Sequence, residues 1–232
     1  MSTTLYLLPT PLCGENILPL TVPHNIPLIH SCKFFVVEEL KTARRFLKAI
    51  DRNINIDELT FAELNEHTPP KELLDIFKTI LQNENVILMS EAGCPGVADP
   101  GAALVQMAHK QNIKVVPLIG PSSILMAVMS GGLNGQNFAF NGYLPKEKPE
   151  RAQKIKSLEK LAAHQSQWFI ETPYRNAQLF DELLLNLKPD TKLCIALNIT
   201  AANEYIKTKT AGDWKKEKPD LNKIPCVFGI GQ

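Results

Sequence analysis

The chain has 232 residues, 44% of them apolar and 21% charged, the composition of an ordinary globular protein long enough for two modest domains. A net charge of +1 sets up no global field that would draw nucleic acid or an anionic membrane to the whole surface. The five cysteines (Cys13, Cys32, Cys94, Cys194, Cys226) are scattered and never form a C-x-x-C, and the N-terminus MSTTLYLLPTPL lacks both a basic segment and a long apolar core. A disulfide framework, a zinc site, a signal peptide and a membrane span of ~18 apolar residues are therefore not expected, and a reduced, cytoplasmic protein is.

Short apolar runs alternate with helical periodicity along the chain, which predicts an α/β fold with a mostly parallel sheet. Strands are expected at residues 4–8 and 33–37 (KFFVV), then a helix over 39–50 with basic residues Lys41, Arg44, Arg45 and Lys48. Thr68-Pro69 gives an N-cap followed by a proline at the first helical position, with Leu73, Leu74, Phe77, Ile80 and Leu81 as one apolar stripe behind it. A buried strand from Val86 leads into the loop SEAGCPGVADPG (90–101). Asp99-Pro100 starts the helix carrying Leu104, Val105, Met107 and Ala108, and a further strand ends in Gly120-Pro121-Ser122-Ser123. Gly-Pro interrupts the pattern and marks a hinge, so domains of residues 1–119 and 120–232 are expected. Helices then follow over 122–129, 147–163 and 176–187, and strands over 138–142, 168–171, 192–197, 204–208 and 226–229.

No G-x-G-x-x-G, Walker-type loop, H-E-x-x-H or G-x-S-x-G is present, and the five histidines (His24, His30, His67, His109, His164) are isolated, so no metal site is expected. Two basic clusters, Lys146, Lys148, Arg151, Lys154, Lys156, Lys160 and Lys207, Lys209, Lys215, Lys216, Lys218, read first as solvated faces and second as nucleic-acid contacts. The loop after Met89 is the informative segment. Gly93 removes a side chain where a ligand could approach the backbone, Pro95 stiffens the turn and Asp99 can cap the next helix, although a tight connection alone would use the same residues.

Six ordered segments give this loop a context: LYLLPTPL (5–12), VVEELKTARR (36–45), SEAGCPGVADPG (90–101), VVPLIGPSS (115–123), FNGYLPK (140–146) and FIETPYR (169–175). Together they resemble the tetrapyrrole-methylase superfamily of S-adenosylmethionine-dependent methyltransferases and, within it, the ribosomal RNA small-subunit methyltransferase I family, which methylates a cytidine ribose 2′-oxygen of 16S RNA. The resemblance implies two α/β domains, a mostly parallel N-terminal sheet and a mixed C-terminal one, with S-adenosylmethionine in the cleft between them and a homodimer as the usual assembly. By position in the matched motifs, Pro9, Pro11, Ser90, Glu91, Ala92, Gly93, Pro95, Val97, Ser122 and Ser123 would surround the methyl donor, the two serines also being able to cap a helix. Glu38, Glu39 and Glu171 are the candidate bases, with Arg175 as an orienting cation; each could equally be a surface charge or a structural ion pair.

The chain departs from the family pattern in three places. The usual Glu-Asp-Thr-Arg reads Glu38-Glu39-Leu40-Lys41, replacing a guanidinium fork with a point charge. Leu197-Asn198-Ile199-Thr200-Ala201 stands for Arg-Glu-Leu-Thr-Lys, and the sequence ends at Gln232 without the further C-terminal region of many relatives. Three functions stay open on the sequence: an RNA ribose methyltransferase, a methyltransferase for a tetrapyrrole or other small molecule, and a nonenzymatic protein that keeps the cofactor as a ligand.

Overall fold

The computed structural model describes residues 3–13 and 22–232. Thr4–Leu8 (β1), Phe34–Val37 (β2), Thr60–Glu63 (β3), Asn85–Met89 (β4) and Lys114–Pro117 (β5) form one parallel sheet in the order β3-β2-β4-β1-β5. The inner strands β2 (FFVV) and β4 (NVILM) are apolar at nearly every position because helices cover both faces of the sheet. Ile26–Ser31 (α1) and Leu40–Ile50 (α2) pack with Leu8, Phe35, Val37, Ile87 and Met89 on one face. Pro70–Ile80 (α3) and Ala102–Lys110 (α4) pack with Leu5, Phe34, Val36, Val86 and Leu88 on the other.

Right-handed crossovers explain the change of face. The steps from β1 to β2 and β2 to β3 run toward one edge, whereas β3 to β4 and β4 to β5 run back. Hence the loop leaving β4 heads to the face opposite that taken by the loops of its neighbours β1 and β2. Diverging loops leave a crevice at the carboxyl end of β4, the switch point where open sheets of this kind hold ligands.

The chain divides into two units after Ser122. In the second, Phe138–Tyr143 (β6), Ser166–Ile170 (β7), Lys192–Leu197 (β8), Tyr205–Thr210 (β9) and Cys226–Gly231 (β10) form a mixed sheet in the order β6-β7-β10-β8-β9, parallel only between β6 and β7. Lys148–Leu161 (α6), Asn176–Asn186 (α7) and Ala211–Trp214 (α8) cover one face over Phe169, Phe180, Phe228 and Trp214. Ser123–Ser130 (α5) lies against β10.

Four local expectations are corrected. α3 begins one residue late, at Pro70 with Pro69 as its cap, while the Thr68 hydroxyl accepts from the Asn65 N–H and closes the preceding turn. Leu74 and Leu81 of the expected apolar stripe are exposed. Arg151 belongs to no solvated cluster: it is buried, its guanidinium forks onto Glu182 and it donates to the Pro145 and Lys146 carbonyls. Asp99 accepts from the N–H groups of Gly96 and Gly101, tying the turn ahead of α4, whose N-cap position is Gly101. Helices α1 and α8, of six and four residues, are too short for helical periodicity to show, and β3 (TFAE) lacks the β-branched run that marks β2 and β5.

Gly229 lies opposite Trp168, and a Cβ there would stand 2.5 Å from the indole Cζ3. Gly229→Ala is expected to lower the unfolding free energy by about 1–3 kcal/mol, measured by urea titration, because a fully buried ring has nowhere to move. An unchanged midpoint would show that the ring is loosely held.

Candidate active site

The loops leaving β1 and β4 are joined by backbone. The Thr10 N–H donates to the Gly93 carbonyl (2.9 Å) and the Gly93 N–H to the Thr10 carbonyl (3.0 Å), an isolated antiparallel bridge. The Thr10 hydroxyl donates to the Ser90 carbonyl and the Ser90 hydroxyl to the Gly93 carbonyl. Gly93 has φ +79°, where an L side chain is strained, and its pro-Cβ side faces Leu12 at 3.3 Å. Its backbone groups are thus committed to the bridge, and the glycine shapes the loop.

At the carboxyl ends of β1, β2 and β4 a cavity of about 320 Å³ opens between Thr10–Cys13 of the first loop, Val37, Glu38 and Glu39, one face of α2 (Thr42, Ala43, Arg45, Phe46) and Met89, Ser90, Glu91 and Ala92. Of the residues anticipated for the donor, Pro11, Ser90, Glu91 and Ala92 line it, as do the candidate acids Glu38 and Glu39. Pro9 is buried against Gly120, where a Cβ would clash with the proline ring. Pro95 is buried and Val97 exposed, both outside the lining. Ser122 bonds the Cys94 thiol, which itself donates to the Pro121 carbonyl, and Ser123 is the first residue of α5 in the second unit. Arg45, read from the sequence only as one of several basic helix residues, reaches the cavity because it lies one turn beyond Thr42.

The two adjacent glutamates have opposite environments. Glu38 is half-buried and its Oε2 accepts from the Glu91 N–H at 2.9 Å. Burial pushes its pKa above the usual carboxylate value; the Glu91 hydrogen bond opposes this, and the negative charges of Asp99 and Glu91 add to it. Glu39 caps α2, accepting from the Lys41 and Thr42 N–H groups and the Thr42 hydroxyl, and these bonds, the Thr42 side chain first, draw its pKa down. A carboxylate held so firmly in its ionised form is a helix cap and a poor proton acceptor.

Glu171 and Arg175 belong to the second unit. Glu171 is buried after β7, and its Oε1 accepts from the Thr172 N–H (2.7 Å) and from Arg175 Nη2 (2.6 Å). The pair holds the turn into α7. Among the described residues, no cluster of histidine, cysteine and carboxylate side chains could hold a metal ion, and no helix is long and apolar enough to cross a membrane.

No protein-family model matches the chain. It is 30% identical over 230 residues to the ribosomal RNA small subunit methyltransferase I of Hydrogenobaculum sp., covering 97% of this chain and 92% of that protein. To the proteins of the same name from Vibrio cholerae and Halalkalibacterium halodurans it is 29% and 30% identical over 202 and 184 residues, or 87% and 79% of this chain. It spans 67% and 60% of their lengths. In fold it is similar to the methyltransferase CobJ (TM-score 0.65, 14% identity, 100% of this chain and 95% of that one) and to uroporphyrin III C-methyltransferase from Thermus thermophilus (0.59, 14%, 99% and 97%).

Removing the cap should separate Glu39 from catalysis. Glu39→Ala is expected to lower the thermal midpoint at neutral pH. The folded-state pKa is depressed, so this contribution is full above the ordinary carboxylate pKa and fades as pH falls through the lowered one. Melting curves of both proteins should converge in acid; a constant gap would assign the effect to packing.

Proposed function

Because the chain belongs to the ribosomal RNA small subunit methyltransferase I family, we propose that it transfers the methyl group of S-adenosylmethionine to a cytidine ribose 2′-hydroxyl of 16S ribosomal RNA. The reading takes it to be cytoplasmic, as the scattered cysteines suggest, and a homodimer, as the family resemblance implies.

The cavity at the switch point fits such a donor in kind. Glu91 presents a carboxylate suited to a sulfonium or an ammonium, while Leu12, Val37, Phe46 and Met89 supply apolar surface for the rest of the molecule. Pro11, Ser90, Glu91 and Ala92 would hold it, with Pro9, Gly93, Pro95 and Val97 setting the loops that carry them and Ser122 as a further contact. The bound donor supplies one electrophilic methyl group. The protein's own part is to orient the acceptor oxygen in line with that methyl, to keep water out, and to remove the hydroxyl proton as the carbon–oxygen bond forms.

Glu38 is the base in this scheme, and one observation carries the assignment: it is the carboxylate in the cavity whose pKa is raised, and it is held by the same Glu91 backbone that forms the cavity's wall. A raised pKa strengthens it as a proton acceptor while leaving it ionised above that value. The pair Glu171–Arg175 is read as positioning its own loop.

Glu38→Gln keeps an acceptor for the Glu91 N–H and deletes the base. Methyl transfer to small-subunit RNA should fall by about 10²–10⁴-fold with donor binding retained by calorimetry. Since folding raises the Glu38 pKa, its ionisation opposes folding once pH passes the ordinary carboxylate value, so the variant should be no less stable at neutral pH. Wild-type activity should decline on the acid side at a pH above the ordinary carboxylate range. Full activity in Glu38→Gln would remove the assignment, and methyl transfer to a tetrapyrrole in place of RNA, or to a base in place of ribose, would overturn the acceptor.

A further inference from the structure

Tyr174 is 79% exposed, so its ring contributes little to the hydrophobic core, yet every neighbour of its backbone is fixed. Glu171 anchors Thr172 and Arg175; the Arg175 N–H donates to the Thr172 carbonyl, closing the turn that displays Tyr174. The Lys223 N–H donates to the Pro173 carbonyl, and the fully buried Asn176 donates from Nδ2 to the Ile224 carbonyl at 2.6 Å, clamping the 222–225 segment onto this turn. Lys223 adopts φ +58°, a conformation that costs a non-glycine residue free energy, and its Nζ lies 5.9 Å from the Tyr174 ring centroid. The frame that closes the turn into α7 thereby also holds a solvent-facing ring in place with a lysine beside it.

The β6–β7 register adds a second ring at this edge. Tyr143 pairs with Ile170, the residue before Glu171, and is 54% exposed; Gly142 at φ +63° and a register shift after Phe140 set its direction. Exposed Lys146 follows. Two exposed tyrosines, Lys146 and Lys223 therefore share one end of the second sheet, where Arg175 is tied to Glu171.

We infer that this edge is a stacking platform for an unpaired base of the RNA acceptor, an inference that rests on the RNA reading above. Aromatic faces accept bases of any sequence by stacking, and the flanking cations match phosphates on either side. Lysine is depleted at protein interfaces, and the cations flanking these rings, Lys146 and Lys223, are both lysines. Lys223 pre-organises the face by occupying it in the free protein and moves to phosphate when a base takes its place.

The test uses the full chain, a short single-stranded cytidine-rich RNA followed by fluorescence anisotropy, and methyl transfer to small-subunit RNA. Tyr174→Ala should weaken oligonucleotide binding and raise the KM for RNA by roughly ten-fold or more, with kcat, donor affinity and thermal midpoint unchanged, and Tyr174→Phe should restore wild-type values because the ring is what matters. Lys223→Gly, which relieves the positive φ, should reduce the slope of log affinity against log salt by about one. An active wild type whose KM and oligonucleotide affinity are unaffected by Tyr174→Ala overturns the platform and leaves the RNA function standing. Equal loss in Tyr174→Phe also overturns it, by pointing to the hydroxyl. A wild type that neither binds nor methylates RNA overturns both.

Discussion

The bridge between Thr10 and Gly93 is the constraint from which the cavity's geometry follows. Helices α1 and α4 lie on opposite faces of the first sheet, so the loops that lead to them are carried apart at neighbouring strands. Two backbone hydrogen bonds hold these loops together at their start, and the hydroxyls of Thr10 and Ser90 reinforce the junction from inside. The arrangement requires a left-handed residue at position 93. Once it is made, the chain after Ser90 is aimed so that the Glu91 N–H meets Glu38, and Cys94 is placed where its thiol reaches the 121–122 segment.

Within that geometry two consecutive carboxylates acquire different chemistry. Glu39 falls at a helix start, where the unpaired N–H groups of the first turn converge on any acceptor, and it is stabilised as an anion. Glu38, one residue earlier, faces the crevice, loses water and has acidic neighbours, and its proton is held more tightly. Environments that push titratable groups apart are how a site acquires a base with a defined role.

The second unit uses the same kind of economy for display. A buried carboxylate, Glu171, and a fully buried amide, Asn176, fix a short turn whose outer residue is almost wholly exposed. Glu171 is matched to the Thr172 N–H and the Arg175 guanidinium and the Asn176 Nδ2 to the Ile224 carbonyl, and the rigidity this gives passes to Tyr174 and Lys223. Where the first unit converges polar groups on a cavity, the second presents aromatic and basic groups at an open edge.

Much of this was legible in the residues. Alternating apolar runs located nine of the ten strands among the described residues and the longer helices, because burial on one face or two imposes a period on the sequence, and six ordered motifs placed the chain among methyltransferases. Edge strand β3, whose Phe61-Ala62 pair lacks the β-branched run of β5, and the short helices α1 and α8 left no such imprint. The sequence by itself singled out the loops proposed to meet a ligand, and Glu38, Glu39, Glu171 and Arg175 as the charges to weigh. Only the tertiary structure set Glu38 and Glu39 apart, because a carboxylate's proton affinity depends on which N–H groups and charges surround it after folding: Glu91 and Asp99 lie more than fifty residues from Glu38, while Glu39 finds its partners in its own helix.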